Sequence, residues 1–236
     1  ERIEFTPESL KKSIFDSEIR NKVSVASSKN IRTERITEVR GYIFEMNKSA
    51  KSFQVELISG QKISASFNQI QIAQVQEGLN KYEHRKKVYI KGLGKYLNND
   101  LLSIDNTNEV EILSDTDIQS RIEELALLED GWLDGEGKAL YAEGLDWFSN
   151  EFITILGSDI PEPYLFPTPN GGIQAEWSHH NHEISLDIDL KTKSAVFQSV
   201  NISTEEDEHE EFDLDNKEHL ARLNEHLFNV FNLSHE

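Results

Sequence analysis

The chain has 236 residues, 37% of them hydrophobic, with 12 Phe, 6 Tyr, 3 Trp and no cysteine. That length suits one large or two small domains, and the lack of cysteine excludes disulfides, thiol nucleophiles, iron–sulfur ligation and cysteine zinc sites. The net charge of −19 is unevenly placed: residues 1–113 carry 18 basic and 15 acidic side chains, and residues 114–236 carry 6 and 28.

A half near +3 followed by a half near −22 predicts two units that face different partners. The acidic half should repel nucleic acid and anionic membranes, although solubility alone is the plainer reading of such charge. No run of 18 apolar residues predicts a membrane-spanning helix, so no membrane partner is expected. No basic region followed by an apolar run opens the chain, so no signal peptide is expected, and with no cysteine the expected location is the cytoplasm.

In chain order, "FTPESLKKSIF" predicts a helix over residues 7–20, with Thr6 as cap and Pro7 in its first turn. Residues 21–33 are small and polar and read as a linker, so residues 1–33 form a helix and linker. Residues 34–46 read as a strand bent at Gly41. Phe53, Val55 and Leu57 alternate, Ser59-Gly60 turns, and Ile63, Ala65 and Phe67 alternate again. Ile72, Val75 and Leu79 then recur at helical spacing. "KKVYIKGLGKY" and "LLSIDNTNEVEIL" return to strand around the turn "LNND". The order β-β-β-α-β-β over 34–113 predicts an OB-like small barrel, with another small barrel carrying an inserted helix as the competing reading.

Residues 114–236 predict an acidic α+β domain ordered α-α-antiparallel β meander-α. Asp115 or Asp117 caps a helix striped by Ile118, Ile122 and Leu125. Tyr141, Leu145, Phe148, Phe152 and Ile155 stripe a second helix, which Gly157 ends. Residues 161–172 hold four of the five prolines and a short strand at 164–166. Three strands follow, with turns at "HNH" and "KTK" and clean alternation of Ile184, Leu186, Ile188 and Leu190. Residues 203–215 read as a solvated acidic loop, and Asp215 with Glu218 has capping-box spacing before a helix striped by Leu220, Leu223, Leu227 and Val230.

"LEDGWLDGEGKA" followed by "PEPYLFPTPNGGIQAEW" resembles a module of uncharacterised bacterial two-domain proteins, in which an OB-like barrel sometimes precedes it. The matching residues are Gly131, Trp132, Asp134, Gly135, Pro167, Pro169, Gly171, Gly172, Glu176 and Trp177, across roughly 125–190. Leu133 departs from the pattern as an extra residue between Trp and Asp. The resemblance implies a bacterial or phage-associated protein, in a toxin–antitoxin or phage-defence setting, and implies no activity.

Candidate sites follow from chemistry. Trp132 reads as an apolar plug closing the end of a helical pair, or as an exposed ring for a partner; Trp177 reads as core. A calcium loop starting at Asp130 fails, because its third and twelfth positions are Trp132 and Tyr141. The acids Glu205, Glu206, Asp207, Glu208, Glu210 and Glu211, with Trp132 and Asp134, are the candidate contacts for a basic protein partner. Arg85, Lys87, Tyr89, Lys91 and Lys95 interleave cations with an aromatic, as single-strand-binding barrels do. His180 and His182 would share a strand face as zinc ligands, against the plainer reading of an exposed polar turn. No phosphate loop, nucleophile elbow or catalytic constellation is present, and no cofactor is expected. The expectation is a non-enzymatic adaptor or inhibitor whose acidic domain binds a basic partner. A nucleic-acid-binding barrel and a metal-dependent hydrolase are the alternatives.

Overall fold

The computed structural model describes residues 3–5, 13–15, 31–152, 156 and 160–232. It is mainly β, and the chain divides into two compact units at Ile112–Leu113. Strands β1 (Ile3–Phe5) and β2 (Ser13–Phe15) pair antiparallel, Ile3 with Phe15. The expected helix over 7–20 is therefore wrong at 13–15: the β-favouring pair Ile14-Phe15 follows an extended partner, and pairing outweighs the helix-start signal at Thr6-Pro7. The rest of that span, and the linker to residue 30, lie outside the described residues.

The first unit is a closed barrel of five strands: β3 (Arg32–Asn47), β4 (Ser52–Leu57), β5 (Lys62–Ser66), β6 (Val88–Leu97) and β7 (Asp100–Ile112). Around the barrel the order is β3-β4-β5-β7-β6. All neighbours are antiparallel except β5 and β7, which run parallel with Ser64 opposite Ser103. β3 closes the barrel because it serves two partners. Its first part pairs with β6 and its second with β4, and Gly41 is in register with both Val88 and Leu57. A Cβ at Gly41 would stand 2.3 Å from the Glu56 carbonyl oxygen, so only glycine lets the strands approach there.

Ile43, Phe53, Val55, Ile63, Val88, Ile90 and Ile104 fill the interior. Helix α1 (Ile72–Asn80) lies between β5 and β6 in sequence and adds Val75 to that core. The turn that leads into it is capped reciprocally. The Ile70 amide donates to Asn68 at 2.8 Å, and the Asn68 amide donates to the Gln71 side chain at 3.1 Å.

The second unit begins with α2 (Ile118–Leu125), capped by Asp117, whose carboxylate accepts from the Ser120 amide at 2.7 Å. Ile118, Ile122 and Leu125 are buried, as their spacing predicts. The second helix starts at Ala142, after Tyr141, and α3 (Ala142–Trp147) passes into one wider π turn over Phe148–Phe152. Tyr141 is exposed, while Leu145, Trp147 and Phe148 are buried; Ile155 and Gly157 lie outside the described residues.

The sheet is an antiparallel meander: β8 (Tyr164–Pro167), β9 (Ile173–His179), β10 (His182–Asp189), β11 (Ser194–Asn201) and β12 (Asp207–Asp213). β12 corrects the reading of 203–215 as a solvated loop. Phe212 reaches the core opposite Ala195, and that burial, with a full ladder to β11, outweighs the repulsion among neighbouring acids. Helix α4 (Lys217–Asn232) closes the unit with Leu223, Leu227 and Val230 buried. Its first turn is held by Asn216, which accepts from the Glu218 amide at 2.9 Å, and not by Asp215, which pairs with Lys193 at 3.1 Å.

Candidate functional site

The strand period of two sorts the sheet residues of the second unit. Leu165, Ala175, Trp177, Ile184, Leu186, Ile188, Phe197 and Phe212 point to the core. The opposite face carries Glu176, Glu183, Asp187, Asp189, Asp207, Glu211 and Asp213 at the alternate register positions. No Lys or Arg occurs in any of the five strands. At the β8 edge of this face Tyr164 and Phe166 are 56% and 41% exposed, an unusual placement for two large rings. They stand opposite Glu176 and Gln174.

Burial raises the pKa of Asp187, whereas the amides of Thr192 and Lys191 hold Asp189 below the usual carboxylate range. A concavity of about 440 Å³ lies where Gln174, Asp187, Asp189 and Val196 meet the turn over 168–172.

That turn meets the glycine-rich connection that carries Trp132. The Lys138 amide donates to the Pro169 carbonyl at 3.0 Å, and the Tyr141 amide to the Gly171 carbonyl at 3.4 Å. Within the connection, Asp134-Gly135 is a two-residue hairpin turn, with Leu133 and Glu136 exchanging bonds of 2.9 and 2.8 Å. Leu133, the extra residue, is one leg of it. The Trp132 ring lies half-buried against Gly137, and its N–H donates to the Lys138 carbonyl at 3.1 Å. Trp132 is therefore not a plug in the main core. It braces its own loop through the contact with Gly137 and the bond to Lys138. Trp177 is core, 4% exposed, with its N–H donated to the Pro161 carbonyl at 2.7 Å.

The six acids of 205–211 are divided between a turn and the two faces of β12. Glu205 and Glu206 lie in the turn before β12, with Glu205 at φ +59° and Glu206 accepting from the Thr204 hydroxyl at 3.0 Å. Asp207 and Glu211 face outward, opposite Val200 and Val196. Glu208 and Glu210 face α4. His226 stands between them, its ring nitrogens 2.8 Å from each carboxylate, and Arg222 reaches Glu210 at 2.9 Å. Beside this cluster, α4 and the adjacent ends of β10, β11 and β12 enclose a pocket of about 450 Å³.

The two histidines weighed as zinc ligands separate. His180 occupies the turn at φ +50°, and His182 begins β10 and lines that pocket. The chain reverses direction at His180, which removes the shared strand face. Among the described residues no group of three or more His, Asp or Glu side chains is placed to hold a metal.

On the barrel, Tyr89, Lys91 and Lys95 fall on the outward side of β6, so Tyr89 is not a core residue. Lys91 pairs with Glu38 at 2.6 Å and Lys95 with Asp105 at 2.5 Å. Arg85 pairs with Glu56 at 3.2 Å and stacks on Tyr42 at 3.7 Å, and Lys87 is half-buried just before β6. The hydrogen bond from Lys91 lowers the pKa of Glu38, and the one from Arg85 lowers that of Glu56. Glu34, Glu38, Asp105, Glu109 and Glu111 surround Arg40, Lys91 and Lys95, so a polyanion would meet a mixed surface.

No helix of the described residues is long and apolar enough to cross a membrane. Compared with protein-family models, curated proteins and solved structures, the chain matches none.

Proposed function

We propose that this chain is a non-enzymatic protein-binding adaptor or inhibitor, an OB-type barrel followed by an acidic α+β domain whose open sheet face binds a basic partner. The single observation that carries the reading is the composition of that face. It has seven outward carboxylates and no Lys or Arg, with Tyr164 and Phe166 exposed at one edge. The carboxylates steer a basic surface by long-range attraction, and the two rings supply the apolar anchors that interfaces use. The OB assignment rests on the strand order and on the position of α1 between the third and fourth strands. A basic partner of the kind that acts on nucleic acid fits a toxin or defence setting, since a carboxylate sheet offers the charge that a phosphate backbone offers.

The test is capture by the tagged chain from nuclease-treated bacterial lysate, beside a Glu183→Gln/Asp187→Asn/Glu211→Gln variant. One stoichiometric basic protein held by the wild type and lost by the variant near physiological salt supports the reading. A partner held equally by both would sink it.

A further inference from the structure

The two edges of the sheet in the second unit are finished differently. β8 is four residues long and ends in Pro167, which has no N–H, and its Leu165 carbonyl accepts from Arg121 Nε on α2 at 2.8 Å. Shortness, proline and a covering side chain are devices that close an edge. β12 has none of them. It runs seven residues without proline, and its register with β11 continues unbroken from Asp207 to Asp213.

The phase of that ladder fixes which backbone groups are left over. The Leu214 amide donates to the Lys193 carbonyl at 2.9 Å, and the Asn201 amide to the Glu206 carbonyl at 2.8 Å. Antiparallel pairs alternate, so Glu208, Glu210 and Phe212 bond to β11, while Asp207, His209, Glu211 and Asp213 turn their N–H and C=O groups to the free edge. The Asp213 amide follows this phase: it donates away from β11, to His219 Nδ1 on α4 at 2.9 Å. Among the described residues the amides of Asp207, His209 and Glu211 have no such partner.

Alternate backbone donors and acceptors along an uncovered edge match an extended chain. Charge selects its side chains. Glu208 and Glu210 are answered by His226 and Arg222, but the outward carboxylates of Asp207 and Glu211 have no cation beside them among the described residues. A strand with a cation at every second position would set those cations next to Asp207 and Glu211 on the open side, and opposite charges on paired strands attract.

We propose that the free edge of β12, from Asp207 to Glu211, receives an extended segment of the basic partner as an added strand. Its backbone bonds to the outward groups of Asp207, His209 and Glu211, and its Lys or Arg side chains alternate onto the open side. This deepens the partner-binding reading and rests on it for the source of the segment.

The test uses the whole chain, ¹⁵N-labelled, titrated with acetyl-Lys-Val-Lys-Val-Lys-Val-Lys-amide, the same peptide N-methylated throughout, and its Glu-for-Lys counterpart. Saturable slowing of amide exchange at His209 and Glu211 is expected with the first peptide. The Glu208 and Glu210 amides, already bonded to β11, keep their rates. The N-methylated peptide has the same charge but no backbone donors, and should bind about tenfold more weakly or worse. The Glu peptide should not bind. His209→Pro removes one outward donor and no acid, and should weaken the first peptide by about tenfold. Proline is tolerated where the N–H lies outside the ladder, and amide dispersion shows that the variant is folded. Equal binding of the two Lys peptides, or saturation that leaves the His209 and Glu211 amides unprotected, reduces the contact to charge alone and overturns the proposal. Absence of saturation also overturns it. Protection of the same amides in the chain alone, rising with its concentration, makes a second copy the occupant and overturns it too. No partner protein enters this titration, so its failure is distinct from failure of the capture experiment.

Discussion

Gly171 adopts φ +84° directly beneath Ala139, and a Cβ there would stand 2.7 Å from the Ala139 carbonyl oxygen. This contact locks the glycine-rich connection to the proline-rich segment, and it gives a physical reason for glycine in both. Gly171→Ala would impose left-handed strain and a backbone clash together. It is expected to destabilise the second unit by about 2 kcal/mol or more. All three Trp residues, Trp132, Trp147 and Trp177, belong to that unit, so intrinsic fluorescence during urea unfolding reads it alone.

The two motif tryptophans should differ in their energetic weight. Trp177→Ala opens a cavity beside Ile184 and Phe231 and is expected to cost about 3–5 kcal/mol. Trp132→Ala removes a half-buried ring and one hydrogen bond, and about 1–2 kcal/mol is expected. Urea midpoints of the two variants, followed by far-ultraviolet circular dichroism, check the order. Equal losses would return Trp132 to the core.

His226 ties α4 to β12 through Glu208 and Glu210 while its ring packs against Phe197 and Phe212 at 5.4 and 5.8 Å between centroids. Removing the imidazole leaves two inward carboxylates facing each other with Arg222 alone to answer them. A double-mutant cycle of His226→Ala with Glu210→Ala is expected to return a coupling energy of about 0.5–3 kcal/mol. A coupling of zero would mean that the apolar contacts of α4 hold the strand by themselves.

Asp187 gives a pH signature. Burial raises its pKa in the folded state, so the favourable contribution is complete below the ordinary Asp value of about 3.9. It is lost as pH rises through the raised value. Asp187→Asn should therefore match the wild type near pH 3 and exceed it near pH 7. The gain should be no more than about 0.5 kcal/mol, because solvent screens an exposed group. Unfolding by urea at the two pH values checks the sign.

The barrel should bind single-stranded oligonucleotide weakly, because Lys91 and Lys95 are engaged by Glu38 and Asp105. Any filter retention seen at low salt should vanish near 0.15 M. Retention that persists there and is lost in Lys91→Glu would move the functional weight to the barrel.

The strands and turns of the barrel were legible because they depend on local signals: alternation at Phe53-Val55 and Ile63-Ala65, and a switch to helical spacing at Ile72-Val75. The open sheet face was half legible. "EISLDID" announces one buried and one wet side, and its acids Glu183, Asp187 and Asp189 mark the wet side. Tyr164 and Phe166 were missed as candidates because aromatics in a proline-rich strand read as core, and only the register with Glu176 and Gln174 shows them facing outward. β12 was hidden because charge density mimics a loop; its one signal was Phe212 amid acids. Neither the pairing of Glu208 and Glu210 with α4 nor the pocket beside them has a local signature, since both arise where segments distant in sequence converge.

The edge strand β12 leaves one side of its backbone without a neighbouring strand in the sheet, and Asp207, Glu208, Glu210, Glu211 and Asp213 all sit on it. An unpaired edge normally invites a second copy of the same chain to add its own strand. Here an identical edge would bring five carboxylates against five. Like charge on two identical edges opposes that pairing. Replacing those five acids by Asn and Gln would be expected to remove that repulsion, so that two copies could pair edge to edge.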